Sequence, residues 1–141
     1  MGVQEHHLSL PAVIDNVEAA CEFVSSIARA NGLGEDAVYH CYLAVEEICT
    51  NIIEHGYNFD GGNAIIDVVC RVYPDKLTIS ILDDAEPFNP LRLAEPDPSA
   101  PLIERRGGGW GVFFVRKFMD RLDYRYQDGR NQFIMEKRVF S

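Results

Sequence analysis

From Gln4 to Leu10 polar and apolar residues alternate, with His6 and His7 facing opposite sides, and this predicts a short opening strand. The period then changes. Val17, Cys21, Val24 and Ala28 recur at helical spacing and predict a helix that starts at Asp15 and ends at Gly32. Glu18, three residues after Asp15, suggests a capping box. A second helix is predicted from about Glu35 to His55, closed by Gly56, because Val38, Cys41, Val45, Cys49 and Ile52 keep one face apolar. Two alternating stretches, Ala64 to Tyr73 and Lys76 to Asp83, flank Pro74-Asp75 and predict an antiparallel hairpin. A third helix is predicted from near Gly109 to about Asp120. A last hairpin joins Tyr124–Gln127 to Asn131–Arg138 around Asp128-Gly129. Between Phe88 and Arg106 no period holds, and five of the seven prolines fall between Pro87 and Pro101. Such a segment reads as a lid, a binding loop or disorder. The expected fold is α+β: a two-layer α/β sandwich in which an antiparallel or mixed sheet carries its helices on one face, as a single domain over residues 1–141.

Composition narrows the function classes. The 141 residues are 47% apolar and 25% charged, enough for one unaided core. Thirteen Lys and Arg against twenty-two Asp and Glu leave a net charge of −9, which disfavours nucleic acid and anionic membranes as partners. A phosphate ligand must then be held locally, by backbone amides, a metal ion or a few arginines. No apolar run is long enough to cross a bilayer, and the opening MGVQEHHLSL has no signal-peptide stretch. Cys21, Cys41, Cys49 and Cys70 stand singly in apolar surroundings, which suggests buried thiols and a cytoplasmic setting.

Three places carry candidate chemistry. Glu47, Asn51 and His55 are four residues apart and share a face of the second helix. They are either a solvated polar face or a carboxylate base beside an amide oxygen suited to magnesium. The strand ending ILDDAEPFNP either simply stops in a Pro-rich turn or offers a buried carboxylate to an exocyclic amine such as that of adenine. Finally, Glu104-Arg-Arg-Gly-Gly-Gly-Trp-Gly111 holds four of the eleven glycines just before a helix. Glycines there free backbone N–H groups to face an anion, the helix start adds a favourable dipole, and Arg105 and Arg106 can neutralise phosphate. The alternative is a flexible hinge. No Gly-Lys-Ser/Thr, dinucleotide fingerprint, HRD or DFG occurs, so a nucleotide site here belongs to another architecture.

In this order the three elements resemble the GHKL ATPase superfamily, and most closely its small anti-sigma factor kinases of the RsbW and SpoIIAB type. LAVEEICTNIIEHGY (Leu43 to Tyr57) resembles their N box, and ILDDAEPFNPL (Ile81 to Leu91) their first glycine box. GGGWGVFFVRKFMD (Gly107 to Asp120) is similar to their second glycine box and the following helix. The resemblance implies a Bergerat (histidine-kinase-like ATPase) fold that binds ATP and Mg²⁺. It makes Glu47 the general base, Asn51 the magnesium ligand and Asp83 the acceptor of the adenine amine. Gly109 and Gly111, with Gly107 and Gly108 beside them, would line the phosphates, Ala85, Arg105, Arg106, Trp110 and Val112 would belong to the same ATP site, Asn131 would lie near adenine, and the Pro-rich stretch from Pro90 to Arg106 would be a short lid. Ala85 stands where the family expects glycine, and it is strained by ~1–2 kcal/mol if the backbone there needs positive φ.

The implied function is a serine/threonine protein kinase that phosphorylates a STAS-type anti-anti-sigma protein and sequesters an RNA polymerase sigma factor, and the resemblance also implies a homodimer. An ATP-binding partner-switch module without kinase activity is the alternative, favoured by Ala85. A detached histidine-kinase domain fits less well, because these residues include no dimerisation helix with an acceptor histidine and Pro87-Phe-Asn-Pro90 replaces the Gly-x-Gly of that branch.

Overall fold

The structure, a computed structural model, describes residues 3–58, 63–92 and 110–139. Strand β1 (Gln4–Pro11) leads through a short 3₁₀ turn, Ile14–Asn16, into α1 (Val17–Ala30), followed by α2 (Glu35–Asn51). The hairpin β2 (Ile65–Val72) and β3 (Lys76–Asp83) comes next, then α3 (Trp110–Phe118) and the hairpin β4 (Arg121–Gln127) and β5 (Arg130–Arg138). The sheet order is β1-β2-β3-β5-β4, with each described pairing antiparallel. This is the expected α+β architecture, with three helices on one face of a five-stranded sheet.

Register explains why only one face is covered. Leu8, Val68, Ile81, Phe133 and Tyr124 are cross-strand partners in a single row running through all five strands. Their period of two sends them to the helical side, where Val68, Ile81 and Phe133 are buried. The adjacent row, His7, Val69, Ser80, Ile134 and Asp123, faces the other way and is mostly polar. On the helical side Val24, Ala44, Val45 and Ile48 complete the core with the sheet. All four cysteines are free and buried, as their apolar settings suggest.

Two boundaries differ from expectation. The capping box at Asp15 and Glu18 does not form: Asp15 lies in the 3₁₀ turn, α1 begins at Val17, and no side chain caps it. Asn16 instead donates from Nδ2 to the Pro11 carbonyl at 3.0 Å, which ties the helix start to the end of β1. Nor does α2 run unbroken to His55. It ends at Asn51 and continues as a π-helical turn, Ile52–Gly56. Wider winding rotates the residues after Asn51 relative to the α-helical face that sequence spacing assumes. The β4–β5 turn agrees with its sequence signal: Asp128 and Gly129 have φ of 56° and 76°, the double positive φ of a type I′ hairpin.

Candidate functional site

The last residue of β3, Asp83, points to the helical side and is only 2% exposed. Its Oδ1 accepts from the Ala85 backbone N–H at 2.9 Å and from Asn131 Nδ2 at 3.0 Å. Asn131 is its cross-strand partner on β5, so sheet register brings the two together. The same Nδ2 donates to the carbonyls of Ala85 and Glu86, while Asn131 Oδ1 accepts from Phe88 N–H and from the Tyr124 hydroxyl. Asn131 thereby fastens the turn after β3. Burial pushes the Asp83 carboxyl above the usual carboxylate range, against the opposing pull of its two hydrogen bonds. Its other oxygen, Oδ2, has no hydrogen bond among the described residues.

The neighbouring aspartate is used differently. Asp84 turns outward and accepts from Arg130 Nε at 2.7 Å, and the same guanidinium reaches Asp67 at 2.7 Å. One aspartate of the Asp-Asp pair is thus sequestered and the other is neutralised at the surface. Ala85 is buried, and it is absent from the positive-φ residues, which are Asn58, Asp128, Gly32 and Gly129 among those described. Alanine therefore carries no left-handed backbone strain here.

Helix α2 presents Glu47 and Asn51. A Cβ placed on Gly111 would lie 1.8 Å from the Glu47 Cδ and 1.9 and 2.4 Å from its oxygens. The carboxylate therefore fills the space a side chain at 111 would need, at the second residue of α3. Only glycine lets the helix start approach it so closely. Half-burial pushes the Glu47 pKa up, and the neighbouring Asn51 amide draws it partly back. A cleft of about 260 Å³ opens beside this contact, lined by Leu43, Glu46, Glu47, Gly111, Phe114, Val115 and Phe118. Asn51 is 3% exposed, and its Nδ2 has no hydrogen-bond partner of normal geometry. A half-turn of the amide exchanges its nitrogen and oxygen, so this buried position can offer a hard oxygen ligand.

The two centres are joined along one chain segment. Past the π-helical turn, Gly56 approaches Ala85 so closely that a Cβ on it would meet the Ala85 Cβ at 3.1 Å. The Tyr57 hydroxyl accepts from Asp84 N–H at 3.0 Å, and the His55 ring lies 5.2 Å from that of Phe88. Helix α2 and its extension therefore touch the Asp83 turn at one end and α3 at the other. From Glu47 to Gly56 the helical rise is roughly 13 Å. That separation suits a ligand with a base at one end and phosphates at the other.

Val112 is 2% exposed in the core, so its side chain faces away from this space. Trp110 opens α3. Arg105, Arg106, Gly107, Gly108 and Gly109 lie outside the described residues, as does most of the Pro-rich segment. Sequence reasoning missed Gly56, Tyr57, Tyr124 and Arg130. Of these, Tyr124 and Arg130 were accessible from hairpin register, whereas Gly56 and Tyr57 depend on the π-helical turn.

Residues 10–137 match the family described as histidine kinase-like ATPase domain. The chain is 28% identical over 126 residues to the serine-protein kinase RsbW of Halalkalibacterium halodurans, covering 86% of this chain and 76% of that relative. Against the serine-protein kinase RsbW of Oceanobacillus iheyensis it is 27% identical over 140 residues, covering 94% and 88%. Among solved structures it is similar to the RsbU and RsbW domains of a Mycobacterium tuberculosis protein, with a TM-score of 0.67 and 16% identity. That match covers 96% of this chain but 32% of the other, and the likeness is one of fold.

Proposed function

The chain belongs to the histidine kinase-like ATPase domain family, and from that premise we propose that it is a magnesium- and ATP-dependent serine/threonine protein kinase and anti-sigma factor. Its acceptor is a STAS-type anti-anti-sigma protein, and its second partner is a sigma factor held by a homodimer in the cytoplasm. The relatives named serine-protein kinase support the transferase reading. The observation that carries it is the half-buried Glu47 carboxylate lodged against Gly111.

A general base must stay unprotonated yet basic enough to take a hydroxyl proton, and desolvation of Glu47 raises its basicity in that direction. In the proposed reaction Glu47 accepts the proton of the acceptor serine as its oxygen bonds to the γ-phosphorus and the bond to ADP breaks. Asp83 Oδ2 accepts from the adenine amine, since Oδ1 is already committed to Ala85 and Asn131. The first backbone amides of α3 face phosphate oxygens, and the glycines and arginines before them extend that cradle. Among the described residues no cluster of three His, Cys, Asp or Glu can hold a metal ion, so the protein would add one amide oxygen to ligands from the nucleotide. Asn51, a buried amide beside Glu47 whose Nδ2 has no partner of normal geometry, is the residue that fits. Magnesium bound there would neutralise phosphate charge. The rest of catalysis is positioning.

The non-catalytic alternative rested on strain at Ala85, and no positive φ occurs there. The deciding experiment follows γ-phosphoryl transfer from ATP to a purified STAS-type protein by wild type and Glu47→Gln. Transfer should fall by about 10²–10⁴-fold while ATP affinity stays within a few-fold. Equal transfer by the variant removes Glu47 from the role, and no transfer by wild type favours a switch module.

A further inference from the structure

The cleft of about 260 Å³ beside Glu47 continues past the Gly111 contact as a trough between α2 and α3. The two helices run antiparallel along it. Glu47 meets Gly111 at one end, and at the other the His40 ring stacks on Phe118, with centroids 4.5 Å apart and planes at 3°. The ends are about two helical turns apart, or roughly 10 Å. This is the opposite direction from the nucleotide reading, because Asn51, Gly56 and the docked Asp83 turn all follow Glu47 along α2.

The trough is walled by Leu43, Phe114, Val115 and Phe118. Val115 belongs to the core, whereas Phe114 is 45% exposed and Leu43 and Phe118 are half-buried. The aromatic wall is already ordered. Phe114 stacks along Phe118 with centroids 6.0 Å apart, and Lys137 Nζ holds both the Phe118 carbonyl and His40 Nδ1. A side chain entering here meets a preformed surface and gains its hydrophobic burial without ordering the protein first.

Two features identify the occupant. The trough begins at the carboxylate that serves as base in the proposed reaction, so what lies in it is continuous with the acceptor hydroxyl. Its polar side chains are carboxylates, Glu47 and, at the exposed rim, Glu46, which repel phosphate and acidic groups. The nucleotide is thereby kept out, and an apolar side chain is favoured. An extended chain advances about 3.3 Å per residue and sends alternate side chains to one side. A side chain two residues from the acceptor therefore lands roughly 7 Å from it, between Leu43 and Phe114 and within the trough.

We propose that the α2–α3 trough is the acceptor subsite, taking an apolar side chain that stands within about three residues of the phosphorylated serine, with Phe114 as its main contact. The assignment rests on the kinase reading and adds a sequence preference to it: an apolar residue beside the serine, and no carboxylate there.

The test follows γ-phosphoryl transfer by the full chain to a purified STAS-type protein, varied at saturating Mg-ATP. Phe114→Ala should raise the acceptor KM by about tenfold, move kcat far less and leave ATP affinity within about twofold, and Phe114→Leu should recover most of the loss. Replacing the apolar residues beside the acceptor serine by alanine, one at a time, should reproduce that rise at one of them at least. In the Phe114→Ala background the same replacement should cost less than about threefold. A parallel titration of the acceptor, with ADP and magnesium present, reads binding without transfer. Binding that depends on Phe114, with no transfer by wild type, removes the kinase reading and keeps the docking surface. Transfer with the acceptor KM unmoved in Phe114→Ala overturns the subsite alone, and neither transfer nor binding overturns both. A Phe114→Ala change in ATP affinity without one in acceptor KM would give the trough to residues 93–109 of this chain, and a change in sedimentation would give it to a second copy. Either result overturns the proposal.

Discussion

Substituting Gly111 by alanine separates the fold from the reaction. The added Cβ would sit 1.8 Å from the Glu47 Cδ and 1.9 and 2.4 Å from its oxygens. Carbon atoms in ordinary contact are about 3.5–4 Å apart, so the carboxylate must retreat by roughly 1.5–2 Å. A displacement of about 1 Å from a reacting position costs on the order of 10²-fold in rate, or about 2.7 kcal/mol in barrier. The helix itself gains: Gly111 lies in α3 with no positive φ, and alanine is favoured over glycine there by about 1 kcal/mol. Glu47 is the flexible partner, so the backbone need not move. Gly111→Ala should therefore melt no lower than wild type and transfer phosphate at least about 10²-fold more slowly to the acceptor serine. The assay is γ-phosphoryl transfer under single-turnover conditions beside a thermal melt. In a Glu47→Gln background the same alanine should cost less than about threefold, because the base it displaces is already gone. Undiminished transfer by Gly111→Ala, or an equal loss in both backgrounds, would refute the reasoning.

Other outcomes follow from the same geometry. Glu47 must be ionised to act, so transfer should rise with pH through a value above the usual carboxylate range, a limb absent from Glu47→Gln. Glu47 and Asp83 both hold their protons more tightly folded than unfolded, so the native state binds more protons between the usual carboxylate pKa and their raised ones. Their contribution to stability therefore falls as pH rises through that window, and melts of wild type minus Glu47→Gln against pH should show that sign. Asp83→Asn keeps an oxygen for Ala85 and Asn131 but puts a donor in place of Oδ2. ATP affinity measured calorimetrically should fall by ~10–10²-fold with little change in melting. Asn131→Ala strips partners from Asp83, Ala85, Glu86 and Phe88 and should cost about 3 kcal/mol in denaturant unfolding. Ala85→Gly relieves no strain, so it should lower stability by about 0.5–1 kcal/mol and leave ATP affinity unimproved.

Much of this architecture is legible in periodicity. The row Leu8, Val68, Ile81, Phe133 and Tyr124 is the alternation of five strands, and the stripes of α1 and α2 mark the helical face. The Asp-Gly turn announced its hairpin because few residues accept two positive φ values. Local pattern was misleading at the helix ends. Asn16 Nδ2 donates to the Pro11 carbonyl where a capping box at Asp15 and Glu18 was expected, and the π-helical turn after Asn51 has no signature in residue spacing. The site divides in the same way. Glu47 and Asn51 share a helix face and Asp83 ends a strand, which the sequence suggests directly. The lodging of Glu47 against Gly111, the pairing of Asp83 with Asn131 and the docking of Gly56 on Ala85 arise from tertiary packing. No local pattern encodes them.

That one Mg-ATP spans Asp83, Asn51 and the start of α3 is tested most directly by an ATP titration of wild type and Asn51→Ala, each with and without magnesium. Magnesium should tighten ATP binding in wild type and have little effect in Asn51→Ala, which keeps the adenine end intact and still binds ATP. Equal magnesium dependence in the two proteins, or no ATP binding by wild type, would contradict it.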